Sequence, residues 1–121
     1  MINRRGEVRA KTKLICEFRD LENNTYKCKI RDLSKSGLKL VAKIEDFPID
    51  VKIFELSFHL PISNVDLTIK AEMRWQRLTE ENMEVGVEFV NIRPMQKLDI
   101  AQYVSSALYS SGGVLNQRFG F

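Results

Sequence analysis

The 121-residue chain has little of what enzyme active sites and membrane anchors are built from. It has one histidine, His59, held between Phe58 and Leu60 with no cysteine or carboxylate at a metal-ligand spacing. It carries no Ser-His-Asp arrangement, no phosphate-binding P-loop and no dinucleotide glycine pattern, so nothing in it supports an enzymatic activity. Its apolar runs fall well short of the roughly 20 residues a membrane-spanning helix needs, and the N-terminus lacks the apolar core of a signal peptide. The two cysteines, Cys16 and Cys28, read as small buried hydrophobes and free thiols, and the expected location is a reducing cytoplasm.

Composition sets the scale of what is there. With 44% hydrophobic residues in 121, the chain can bury one real core and is too short for two ordinary domains. The net charge of +3 is small, but it is not evenly spread. Residues 1–13 hold Arg4, Arg5, Arg9, Lys11 and Lys13 against Glu7, a net of +4, which leaves −1 for the remainder. A near-neutral body with a basic arm points to a local anionic partner rather than to a protein that coats nucleic acid.

From Lys13 onward the apolar residues recur with period two. Leu14, Cys16 and Phe18, then Tyr26, Cys28 and Ile30, then Leu38 and Leu40 read as half-buried strands. "LENNT" is the turn that makes residues 13–31 a hairpin, with asparagines suited to a left-handed backbone. "VKIFELSFHL" shows a phase slip that reads as a β-bulge or bend before Phe54, Leu56, Phe58 and Leu60. Val65, Leu67, Ile69, Ala71, Met73 and Trp75 form an unbroken alternation, and Met83, Val85, Val87 and Phe89 another. After Pro94 the steps change to three and four, predicting a helix over about 95–109 that "SSGG" ends.

Six antiparallel strands joined by short turns should close on themselves, because closure removes exposed edges. The expected fold is therefore all-β, a six-stranded antiparallel barrel with one C-terminal helix; a two-layer sandwich is the competing arrangement. The expected organisation is a flexible arm over 1–12, the barrel and helix over 13–110, and a loose tail over 111–121.

Two short stretches carry the chemistry. "RRGEVR" sets Arg5 and Arg9 four apart, with Arg4 in front. Arginine offers a rigid fork of donors that grips phosphate or the O6/N7 edge of guanine, and its flat face stacks on bases. In "DLSKSG", Asp32 and Ser34 lie two apart and would point the same way from an extended backbone. Gly37 removes a side chain where the chain turns or where a ligand comes close. Taken singly, each stretch fits a solvated tail and a strand-ending turn.

Taken together, R-x-x-x-R followed about twenty residues later by [D/N]-x-S-x-x-G resembles the signature of the PilZ domain family. Arg5 and Arg9 match its first part; Asp32, Ser34 and Gly37 match its second. "AEMRWQRL" and "EVGVEFVNI", with Trp75 and Gly86-Val87-Glu88-Phe89, look like that family's closing strands. The resemblance runs from residue 4 to about residue 105. It implies a barrel that binds cyclic di-GMP, a bacterial second messenger, with no other cofactor.

By that resemblance Arg5 and Arg9 would hold guanine edges and phosphates. Asp32 and Ser34 would contact guanine or steady the arginines, and Gly37 would let the backbone pass beneath the ligand. Arg4 matches members that take a stacked pair of ligands. Glu7, inside the first motif, would weaken binding if it faced a phosphate. The arm should be mobile without ligand and order on binding, offering an altered surface to an effector protein in trans. The helix and the apolar end (Val114, Leu115, Phe119, Phe121) are candidates for that contact, and homo-oligomerisation stays open. Two other readings compete. One is a PilZ-like module that binds only protein. The other is a barrel for single-stranded nucleic acid, which the inward phase of most aromatics opposes.

Overall fold

The computed structural model describes residues 7–43, 45 and 51–118, with side chains to Tyr109. Its strands are β1 (Ala10–Lys11), β2 (Ile15–Arg19), β3 (Thr25–Leu33), β4 (Gly37–Lys43), β5 (Ile53–Leu60), β6 (Val65–Leu78) and β7 (Asn82–Phe89), followed by the helix α1 (Pro94–Arg118). Every pairing is antiparallel, in the order β1-β3-β2-β5-β6-β7-β4, and β4 also pairs with β3. That last pairing closes a six-stranded barrel. β1 and β2 take successive stretches of the same side of β3, so they act as one interrupted strand.

The alternating residues point inward as their period requires. Cys16, Phe18, Cys28, Ile30, Leu38, Leu40, Phe54, Leu56, Phe58, Leu60, Leu67 and Ile69 all lie in one buried cluster with Met83, Val85, Val87 and Phe89. Phe18 stacks on Phe54 with ring centroids 4.1 Å apart, which ties β2 to β5 across the interior. Cys16 and Cys28 face each other across β2 and β3 as buried free thiols. Turns use asparagine in the left-handed region: Asn23 at φ 70°, Asn64 and Asn91 at φ 57°.

The sequence pattern and the structure part company at three places. The phase slip near residue 53 is no bulge, because β5 pairs with β6 in continuous register from Ile53 to Leu60. The bulges fall instead between Ile30 and Asp32 on β3 and between Met73 and Trp75 on β6. The second one breaks an alternation that looks faultless in the sequence and turns Trp75 to the outer face, 46% exposed. The helix also runs past "SSGG" to Arg118. Glycine inside a helix costs about 1 kcal/mol relative to alanine but does not forbid helical backbone.

Helix α1 starts at Pro94, whose missing N–H is no loss in a first turn. The Gln96 side chain accepts from the Arg93 N–H at 3.0 Å and donates to the Thr68 carbonyl at 3.2 Å, which caps the helix and pins it to β6. Ile100, Tyr103 and Val104 join the core. The helix lies against β1 and β5.

Candidate functional site

The site is built on the β3–β4 hairpin. Ser34 N–H donates to the Gly37 carbonyl at 2.8 Å, closing a tight turn over Lys35 and Ser36. The Ser36 carbonyl in turn accepts from Phe89 N–H at 2.9 Å, so the turn is fastened to the end of β7. Gly37 pairs with Glu88, and a β-carbon there would be driven into the Val87 carbonyl oxygen. A backbone contact within the barrel is therefore sufficient reason for glycine at this position.

The chain before the barrel lies along this hairpin. Ala10 pairs with Leu33 and Lys11 with Asp32, and Ala10 is buried in the core. Arg9 Nη1 meets Asp32 Oδ1 at 2.7 Å. Lys39 Nζ lies 3.9 Å from the other oxygen, Asp32 Oδ2. Two residues earlier, Glu7 Oε1 accepts hydrogen bonds from Ser34 Oγ at 2.9 Å and Ser36 Oγ at 2.5 Å. The hydroxyl of Ser34 is fully buried and also lies 3.2 Å from the Gly37 carbonyl oxygen. Of the residues singled out in the sequence, Arg9, Asp32, Ser34 and Gly37 thus lie together at the β3–β4 hairpin, Arg9 and Asp32 partly exposed and Ser34 and Gly37 buried. Arg4 and Arg5 lie outside the described residues.

A strip of surface continues from Asp32 in a direction that the sequence does not suggest. Residues directly opposite each other in a sheet share a face. Lys11 opposes Asp32, Asp32 opposes Lys39, Lys39 opposes Gly86, and Gly86 opposes Trp75. These five form one row across β1, β3, β4, β7 and β6. At Gly86 the row has no side chain, and the Trp75 indole lies over the gap, where a β-carbon would collide with Nε1. The row therefore ends in an aromatic plane lying over Gly86, the residue that opposes Lys39.

The next row sets the electrostatics. Glu84 opposes Val41 and Arg77 and bonds the Arg77 guanidinium. The hydrogen bond to Arg77 holds the Glu84 carboxyl below its usual range, with Arg77, Lys39 and Arg31 adding charge attraction against the cost of desolvation. Arg74 bridges Glu72 at 3.0 Å and Glu88 at 3.4 Å, which offsets two acids placed opposite each other. On this outer face Lys39, Arg74 and Arg77 are thus each held beside a carboxylate. Among the described residues, no group of three histidine, cysteine or acidic side chains could hold a metal ion, and no helix is long and apolar enough to cross a membrane.

Sequence reasoning missed Trp75 as a member of this strip because the bulge that exposes it leaves no mark on the alternation. The usable signal was the glycine at position 86, inside a strand that is otherwise apolar on one face.

Comparison with known proteins agrees with this architecture. The PilZ domain family matches over residues 3–106, and the chain belongs to that family. It is 30% identical over 122 residues to the alginate biosynthesis protein Alg44 of Pseudomonas putida, covering 96% of this chain but only 30% of that protein. Among solved structures it resembles the Bacillus subtilis inhibitor of motility, MotI/DgrA, with TM-score 0.76 and 18% identity, over 90% of this chain and 53% of the other. It also resembles the PilZ domain of YcgR from Escherichia coli with c-di-GMP, with TM-score 0.68 and 14% identity, over 94% and 98% of the two chains. The K. pneumonia MrkH–c-di-GMP complex gives TM-score 0.77 at 14% identity, over 92% and 54%.

Proposed function

We propose that this PilZ domain is a receptor for cyclic di-GMP and acts by binding rather than catalysis. The observation that carries the reading is the strip itself. The arm's Arg9 is already seated on Asp32, two residues before Ser34, which supports a ligand that meets Arg9 and Asp32 together. Three of the similar solved structures hold c-di-GMP, which supports the same reading.

In this reading Arg5 and Arg9 hold guanine edges and phosphates, and Arg4 meets a second, stacked ligand. Asp32 accepts from a guanine amino group or keeps Arg9 oriented. Trp75 offers a flat apolar face for a base or a guanidinium. Each bidentate arginine–guanine contact adds roughly 1–3 kcal/mol of discrimination. The arm ahead of β1 changes position on binding and presents an altered surface to an effector protein, with helix α1 beside β1 as the element that feels the change.

A calorimetric titration with cyclic di-GMP tests the reading. Wild type should bind, and Arg5→Ala or Arg9→Ala should remove most of the affinity. A wild-type protein that gives no heat and no shift would leave the protein-only module as the better account. Because the chain spans 30% of the length of its alginate-biosynthesis relative, a role in polysaccharide production is a proposal for that larger context alone.

A further inference from the structure

Glu7 is the one acid among the arm's charged residues, and its carboxylate sits on the hairpin that the nucleotide reading assigns to the ligand. A single oxygen, Oε1, takes hydrogen bonds from both Ser34 and Ser36. A phosphodiester oxygen or the guanine O6 would approach these hydroxyls in the same sense, as an acceptor. Two groups cannot use the same hydroxyl protons at once. We infer that Glu7 is an internal competitor: it latches the arm to the Ser34–Ser36 turn before ligand arrives and must be displaced when the nucleotide's acceptor atoms take those hydroxyls. Its presence sets the affinity of the site, in the direction of weaker binding.

Three features of the geometry support displacement rather than a shared contact. The Ser34 hydroxyl is fully buried, so it has no second direction free for a large anion while Glu7 occupies it. It has a fallback acceptor in the Gly37 carbonyl at 3.2 Å, so losing Glu7 leaves no buried hydroxyl unpaired. Finally, a carboxylate beside a phosphate would add like-charge repulsion, which release of the latch removes. Because Glu7 lies two residues before Arg9, releasing it removes one of the arm's anchors on the hairpin and loosens the segment through Arg9.

The inference about ligand rests on the nucleotide reading, so the test has two arms. The first needs no ligand: hydrogen exchange over residues 7–11, with Arg-specific proteolysis after Arg9, in wild type, Glu7→Ala and Ser36→Ala. Exchange and cleavage should be fastest in Glu7→Ala and intermediate in Ser36→Ala. Equal rates in wild type and Glu7→Ala would overturn the latch. The second is calorimetry with cyclic di-GMP. Glu7→Ala should bind about tenfold more tightly, the loss of hydrogen bonds to one charged acceptor. Unchanged or weaker binding by Glu7→Ala would overturn the competition and make Glu7 a positioning residue for the bound arm. A wild type that binds no cyclic di-GMP would overturn the nucleotide reading and the competition together, while the exchange rates alone would decide the latch.

Discussion

The Arg9–Asp32 pair contributes little to stability: Arg9 is about one-third exposed, and such ion pairs are typically worth about 0.2–1 kcal/mol. Arg9→Ala should therefore leave the melting temperature within a few degrees of wild type while removing most nucleotide affinity; a parallel melt and titration checks both. Gly37 has the opposite profile. Its missing β-carbon keeps β4 off the Val87 carbonyl oxygen, so Gly37→Ala should cost about 1–3 kcal/mol in a denaturant titration, with or without ligand. Gly86 lies between these cases. The obstacle there is the half-exposed Trp75 ring, which can swing away, so Gly86→Ala should cost little stability. Trp75 is the only tryptophan, so a change in its fluorescence should mark the displacement.

The elements that adjoin the arm are the short β1 and the long α1. β1 has only Ala10 and Lys11, yet Ala10 is buried and the helix lies against the strand. Whatever moves the arm therefore pulls on a strand that the helix touches. Ile100 is fully buried and belongs to the core, so it anchors the helix to the barrel. Ile100→Ala should destabilise the domain by about 2–5 kcal/mol in a denaturant titration, with the spread set by how far the site collapses. The alternating pattern made the strands from β2 to β7 legible, whereas the two residues of β1 were too few to show a period and read as part of the arm. Helix α1 was legible at its start, from Pro94 and the change of period. Its end was not, since glycine permits a stop without requiring one.

The molecule as a whole is a closed barrel whose interior holds two thiols. Burial pushes the Cys16 thiol well above its usual value of 9.0, with the facing Cys28 adding to the shift. Burial raises Tyr103 as well. In both cases the folded state favours the protonated form. Their stabilising contribution is complete below the unfolded values and declines as pH rises past about 9, where the unfolded chain loses its thiol protons first. Thermal melts should be flat from neutral pH to about 8.5 and fall at higher pH. A Cys16→Ala variant should show a shallower fall, after allowance for the cavity it creates. Thiol reagents should label neither cysteine until the barrel opens.

The sequence by itself determined the strands from β2 to β7, the turns at Asn23 and Asn64, the inward set of apolar residues and the two halves of the family motif. All of these follow from local period, backbone preference and residue chemistry. Only the tertiary structure decided that Trp75 faces out, that Gly37 is demanded by Val87, and that Glu7 rests on Ser34 and Ser36. Each of those depends on cross-strand register between residues far apart in the chain. Register exists only once the sheet has closed, and a one-residue bulge is enough to reverse which face a side chain takes.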